Sequence, residues 1–265
     1  LVLTIRLGKT SILKMRILPY VVFLVCGFVT LLAETEMVTV EGGKLPGYLL
    51  NPHSSSSKIL GSREVSAFQI GKYEVTWKEW QEVRDWAVKN GYTDLQGVGR
   101  GESQDHPVIG INWYDAVKWC NAKSEFEGLA PVYSWNGTVY KTGDFGKYDV
   151  DVESNALANG YRLPTPQQAL WAKRGGITGQ GYPNNQGESI SKVGDSKPNG
   201  IGIYDLLGNV QEWFEKSQVY PDCRLKGCGA VGDQPYDAST GCALPRDGPH
   251  NRHKKTGLRL SRNAP

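Results

Sequence analysis

The sequence predicts a mixed α+β, loop-rich single domain over residues 34–265, and three observations carry that prediction. Glycine (32 of 265 residues), tryptophan (8) and tyrosine (13) are plentiful, a composition suited to turns held by aromatic packing rather than to long regular elements. Helical periodicity is confined to three short stretches, each opened by a polar cap and closed by glycine or asparagine. Alternating apolar and polar residues recur in short runs bounded by glycines, as short strands require. The formal charge is only +3 and the basic residues are scattered, so the chain lacks the basic stripe of a nucleic-acid binder.

The first 33 residues read differently from the rest. Lys14 and Arg16 precede an apolar run from Ile17 to Ala33, the charged start and apolar middle of a secretory signal. Residues 1–14 precede Met15 and read as a misplaced start or the edge of a fragment. Cleavage is expected near Ala33, with export to a periplasm or the exterior and no stable membrane span after signal removal. The alternative is an uncleaved signal anchor, since the run is near the lower limit for spanning a bilayer. Cys26 follows Val25 rather than a small residue, which weakens a lipoprotein reading. Loss of the signal leaves Cys120, Cys223, Cys228 and Cys242, and an oxidising compartment favours disulfides among them. Three full pairings are possible; Cys223 and Cys228 are close enough for a small loop, in which case Cys120 and Cys242 would join distant segments.

The mature chain then reads element by element. Residues 37–41 alternate as a first strand, turned by Gly42 and Gly43, and residues 51–62 form a polar, serine-rich connector. Residues 68–76 are a second strand ending at Thr76, which caps a helix from Trp77 to Lys89 with Glu79 three residues on. Trp77, Trp80, Val83, Ala87 and Val88 define its apolar face, and Asn90-Gly91 stops it. A short strand, Val108 to Ile111, leads to a second helix starting near Asn112, with Ala116, Val117, Trp119 and Cys120 on its buried side and Gly128 at its end. His106 is assigned a structural role, because the sequence places no nucleophile beside it. A hairpin turns at Asn136-Gly137 between Val132-Tyr133 and Val139-Tyr140. Thr165, Pro166 and Gln168 start a third helix that points Leu170 and Trp171 inward and stops at Gly175-Gly176. The last strand is expected over Thr256–Arg262, after a solvated basic run from Arg252 to Lys255.

Between the third helix and that strand lies the most informative stretch, NGIGIYDLLGNVQEW, Asn199 to Trp213. Asp205 and Glu212 bracket the Gly208-Asn209 turn. Two carboxylates with backbone carbonyls between them suit a hard cation such as calcium; a capped turn whose acids accept backbone N–H bonds is the alternative.

Several separated segments, IGKYEVTWKEW, HPVIGINWYDAVKWCNAKSE, GYRLPTPQQALW, KPNGIGIYDLLGNVQEW and TGLRLSR, resemble in order the motifs of the formylglycine-generating enzyme, or sulfatase-modifying-factor, domain family. The resemblance covers about residues 37–263. It implies a sulfatase-modifying-factor fold related to the C-type lectin fold. It also implies a structural calcium site made by Asp205, the carbonyls of Gly208 and Val210, and Glu212. Active members resemble one another in using two cysteines five positions apart to bind copper and oxidise a substrate cysteine with O2. Aligned on CRLKGCGA, Cys223 to Ala230, those two positions fall near Gly232 and Asp237, so neither copper thiolate is where the family needs it. Copper is therefore not expected. Cys223 and Cys228 have the right separation and are the remaining catalytic candidates, through a shifted loop. An iron sulfoxide synthase is set aside for want of its extra helical domain, and a serine hydrolase for want of a G-x-S-x-G elbow. The sequence thus predicts an exported binding or structural module, its partner a protein or peptide ligand, with an active formylglycine-generating oxidoreductase as the alternative.

Overall fold

The computed structural model describes residues 2–7, 11–16, 35–46, 62–143, 151–181, 189–215, 224–225, 246–247, 252 and 254–265. It divides into two units, Leu1–Glu34 and Thr35–Pro265. In the first unit β1 (Val2–Leu7) and β2 (Ser11–Arg16) pair antiparallel, a hairpin the sequence reading did not anticipate. The apolar signal run 17–33 lies outside the described residues.

The second unit is built from small sheets and three helices. β3 (Met37–Val40) and β6 (Phe68–Gly71) pair antiparallel, and β14 (Ser261–Asn263) closes the other side of β6. β4 (Gly43–Leu45) and β5 (Arg63–Val65) make a second pair. The predicted second strand ends at Gly71, not Thr76. Past that point the backbone leaves the ladder, with Lys72 N–H bonded to Glu36 O and Val75 N–H to Leu258 O.

Thr76 caps α1 (Trp77–Lys89), its hydroxyl accepting from Glu79 N at 3.1 Å. Trp80, Val83 and Ala87 are buried, while Trp77 and Val88 pack at the margin of the core. Val108–Ile111 carries one isolated bridge, at Ile109, and not the strand expected there; Ile109 exchanges both backbone bonds with Arg100. α2 (Trp113–Phe126) starts at Asn112 with a full capping box, Asn112 Oδ1 accepting from Asp115 N and Asp115 Oδ2 from Asn112 N.

Every residue of α2 from Trp113 to Ser124 is buried, so the one-sided face read from periodicity is too narrow. Its polar residues are satisfied by specific partners. Lys118 pairs with Asp94 at 3.0 Å, and Lys123 with Glu79 and Glu127. Asn121 makes four bonds to the backbone of Val132, Tyr133 and Tyr140. Those bonds fasten the hairpin of β7 (Tyr133–Trp135) and β8 (Thr138–Val139) onto the helix, with Asn136 and Gly137 both at positive φ as a two-residue turn of this kind requires. β9 (Glu153–Ser154) pairs on the other side of β7.

α3 (Pro166–Arg174) has the predicted cap: Thr165 Oγ1 accepts from Gln168 N, and Gln168 returns a bond from Thr165 N. Gly175 ends it at φ +87. Leu170 and Trp171 join Val40, Leu45, Phe68, Ile70 and Leu206 in one core; Trp80, Trp113, Trp119 and Trp213 belong to the other. The expected last strand is broken into β13 (Thr256–Gly257), which runs parallel to β10 (Gln211–Glu212), and β14. β11 (Arg224–Leu225) and β12 (Arg246–Asp247) pair antiparallel. Among the described residues no helix is long and apolar enough to cross a membrane.

Cys120 is a free thiol buried in α2, so the Cys120–Cys242 pairing is not formed in this structure; Cys223, Cys228 and Cys242 lie outside the described residues. Burial, with Glu215 adding to it, pushes the Cys120 thiol well above its ordinary range. A thiol of this kind is inert, because the thiolate is the nucleophile. Native protein is expected to show no iodoacetamide adduct at Cys120 at pH 8, and full modification in urea. Mass mapping that found Cys120 alkylated in the native state would contradict the burial.

Candidate functional site

The stretch Asn199–Trp213 is held from both ends. Asn199 opens it: its Oδ1 accepts from Ile201 N and Ile203 N, and its Nδ2 donates to Ala172 O at the end of α3. Asp205, Gly208 and Asn209 all sit at positive φ, which folds the chain back within a few residues. Such a backbone suits Gly, Asn and Asp better than other residues, and those are the residue types present.

The structure places the two sequence-predicted carboxylates with different partners. Asp205 is buried and accepts from Gly194 N at 2.6 Å and from the Ser196 hydroxyl. Glu212, on β10, accepts two bonds on Oε1 from Arg259, at 3.0 Å from Nε and 2.8 Å from Nη2. Val210 donates its N–H to Glu74 Oε1 at 3.3 Å. Gly208 takes φ +110 at the turn.

Two residues the sequence reading did not assign complete the centre. Arg259 is fully buried and also donates to Gly71 O and Tyr204 O, so one guanidinium ties β6, the glycine stretch and β10 together. Glu74, just past β6, is 2% exposed and accepts from Asn209 Nδ2 at 2.6 Å as well as from Val210. Burial raises the Glu74 carboxyl well above the ordinary range; Glu212 and Asp205 raise it further, while Arg259 and the Val210 bond oppose the shift. Lys173 on α3 feels the same centre. Burial lowers its amine to about 8, against the pull of Glu212 and with the push of Arg259. The signal for Glu74 was an acid inside the apolar run YEVTW. The signal for Arg259 was a cation between Leu258 and Leu260 in a strand-like segment.

As arranged, the carboxylates of Asp205 and Glu212 are each committed to protein donors. Among the described residues no three acidic, His or Cys side chains stand together as metal ligands, and the cation beside Glu212 is Arg259. What the arrangement does chemically is cross-link: it fixes the ends of four segments by buried charge-assisted bonds.

No partner for His106 was legible in the sequence, yet Ser103 Oγ lies 2.5 Å from His106 Nδ1 and donates to Asp105 Oδ1, which itself lies 3.4 Å from that nitrogen. Serine and aspartate thus meet the same ring nitrogen. A hydrolytic triad needs them on opposite nitrogens, so the cluster serves an exposed turn. The candidate thiols Cys223 and Cys228 lie outside the described residues, and so do Gly232 and Asp237.

A loop-rich α+β fold of three helices and several small sheets is that of the sulfatase-modifying-factor-like proteins. The chain belongs to that family: residues 29–264 match the model of the sulfatase-modifying factor enzyme 1-like domain. It is 32% identical over 221 residues, 71% of this chain and 73% of the relative, to a chaperone protein, LppX, of Paenibacillus barcinonensis. The formylglycine-generating enzyme of Mus musculus is 26% identical over 114 residues, which cover 41% of this chain and 27% of that enzyme. Over 141 residues the chain is also 26% identical to the inactive Cα-formylglycine-generating enzyme 2 of Bos taurus, covering 44% of this chain and 35% of that protein. Among solved structures CarF matches with a TM-score of 0.68 over 87% of this chain and 99% of its own, at 23% identity. Treponema denticola variable protein 1 matches with 0.62, at 26% identity over 86% and 95% of the two chains.

Proposed function

We propose that this protein is an exported binding module of the family that holds another protein or peptide rather than oxidising it. The observation that carries this reading is the match to the Paenibacillus chaperone protein, which is longer and higher in identity than the match to the mouse enzyme. The sequence supports it, since the two copper-thiolate positions fall near Gly232 and Asp237. Export rests on the apolar run from Ile17 to Ala33. Calcium enters as a structural ion at Asp205, Gly208, Val210 and Glu212, and it would have to displace the bonds from Ser196 and Arg259.

The test sets holding against oxidation. Residues 34–265 are purified reduced, titrated with Cu(I) and assayed on a sulfatase-type cysteine peptide; in parallel, a chemically denatured reporter enzyme is diluted into buffer with and without the protein. The expected result is suppressed aggregation of the reporter, no stoichiometric copper and no peptide oxidation. Thiol-dependent copper at one equivalent together with peptide oxidation would replace this reading with the oxidase at Cys223 and Cys228.

A further inference from the structure

A cavity of about 380 Å³, open to solvent, lies beside the N-terminus of α2 and away from the Glu74–Glu212–Arg259 centre. Its wall is peptide backbone at Gly97, Gly99 and Gly110, all at positive φ, and its side chains include Arg100, Arg252 and Lys254. At Gly99 the reason is steric, whereas a Cβ on Gly97 would meet nothing within 4 Å. A Cβ on Gly99 would stand 2.8 Å from Trp80 Nε1 and 3.0 Å from Val108 Cγ2, and the Arg100 side chain lies across the face of Gly110. No side chain grows from these three positions to fill the cavity.

The charge at this cavity is one-sided. Arg252 is aligned by a bidentate pair with Asp115, Nε to Oδ2 at 2.8 Å and Nη2 to Oδ1 at 2.9 Å. Asp115 is in turn fixed by the capping box of α2, so the guanidinium is held in one orientation with about half of its side chain exposed. Arg100 and Lys254 are exposed, and neither has an ion pair among the described residues. Among the described residues, then, three cations face one carboxylate, which is buried and already committed. Like charges gathered at one concavity repel, and an anion placed among them relieves that repulsion.

We infer that this cavity is a binding site for an oxyanion, a carboxylate or phosphate group seated between Arg100, Arg252 and Lys254. Arg252 supplies a pre-oriented planar donor and Lys254 a flexible point charge, the two kinds of group that recognise such anions. The small volume suits a single anionic group or one acidic side chain with its neighbours, and the inference stands whether or not the protein holds a client.

The experiment titrates residues 34–265 by calorimetry at low salt with inorganic phosphate, with a short Asp/Glu-rich peptide, and with its Asn/Gln counterpart. The same titrations follow on the double variant Arg100→Gln/Lys254→Gln, whose fold is checked by far-UV circular dichroism and melting temperature. Binding of phosphate, of the acidic peptide or of both is expected, with none of the amide peptide. The double variant is expected to bind about tenfold more weakly, or ~1.4 kcal/mol, a modest loss because both charges are exposed. Phosphate alone would identify a free or esterified phosphate as the source, and preference for the peptide an acidic protein segment. Binding of neither anion, or equal affinity in a folded double variant, would overturn the inference.

Discussion

Arg259→Met is expected to lower the unfolding free energy by about 3–5 kcal/mol, the cost of leaving a buried carboxylate without its partner. For a domain of this size that corresponds to a fall in melting temperature of roughly 6–20 °C. The reasoning runs through the atoms. Arg259 is fully buried, and its bonds include two to Glu212 Oε1, one to Gly71 O and one to Tyr204 O. Methionine fills much of the volume but returns none of them. Glu212 is then left near Glu74 with its two guanidinium bonds gone and only the more weakly coupled Lys173 amine as a cation in range, and the carbonyls of Gly71 and Tyr204 lose donors. Most of the penalty belongs to the carboxylate, so Arg259→Met combined with Glu212→Gln should be more stable than the sum of the two single changes predicts. Additive losses, or a single-variant loss below about 1 kcal/mol, would show that the pair is not the lock it looks to be. Calcium is read in the same melts: stabilisation of the parent by calcium that vanishes in Glu212→Gln supports the ion, and no calcium effect removes it.

What the sequence could and could not reveal follows from the range of each interaction. Thr76 and Thr165 cap their helices through residues three positions on, and Asn136-Gly137 turns its own hairpin, so these elements were legible from a few neighbouring letters. α2 was legible as a helix but not in its burial. Lys118, Asn121 and Lys123 look like a solvated face by period, and they are buried because Asp94, the β7–β8 hairpin and Glu79 come to them from other parts of the chain. Terminal segments failed for a related reason. Thr256–Arg262 alternates like one strand, yet Leu258 and Arg259 turn their backbone and side-chain bonds to Val75 and Gly71, which divides it. At the candidate site Asp205 and Glu212 stood out because they flank a glycine turn. Arg259 did not, because its partner Gly71 is 188 residues away along the chain. Family motifs located the centre, but only the packed structure says that an arginine occupies it.

Trp80→Ala is the second large effect, expected to cost about 3–5 kcal/mol and to weaken anion binding at the cavity beside α2. Trp80 is wholly buried and stacks on Trp119 with ring centroids 5.3 Å apart and planes within 4°. The backbone carbonyl of Trp80 accepts from Trp119 Nε1 at 3.1 Å, so α1 and α2 meet through this pair by both packing and hydrogen bonding. On its other side Trp80 Nε1 donates to Val98 O at 3.0 Å, and its ring lies against Gly99. The tryptophan is therefore the floor on which the Gly97–Arg100 wall of the cavity rests. Truncation leaves a void between the helices and withdraws that floor. The carbonyl of Val98 keeps a longer bond from Arg84 Nη1 at 3.4 Å, which is too weak to hold the loop in register alone. Trp80→Phe separates the two roles: it keeps most of the apolar volume and deletes the N–H, so it should cost about 1–3 kcal/mol while still loosening the loop. Measured by urea unfolding and phosphate titration together, Trp80→Ala should lose both stability and affinity. A folded Trp80→Ala protein that binds anions as tightly as the parent would mean that the cavity wall is set by the Arg100–Ile109 backbone bridge, not by the core beneath it.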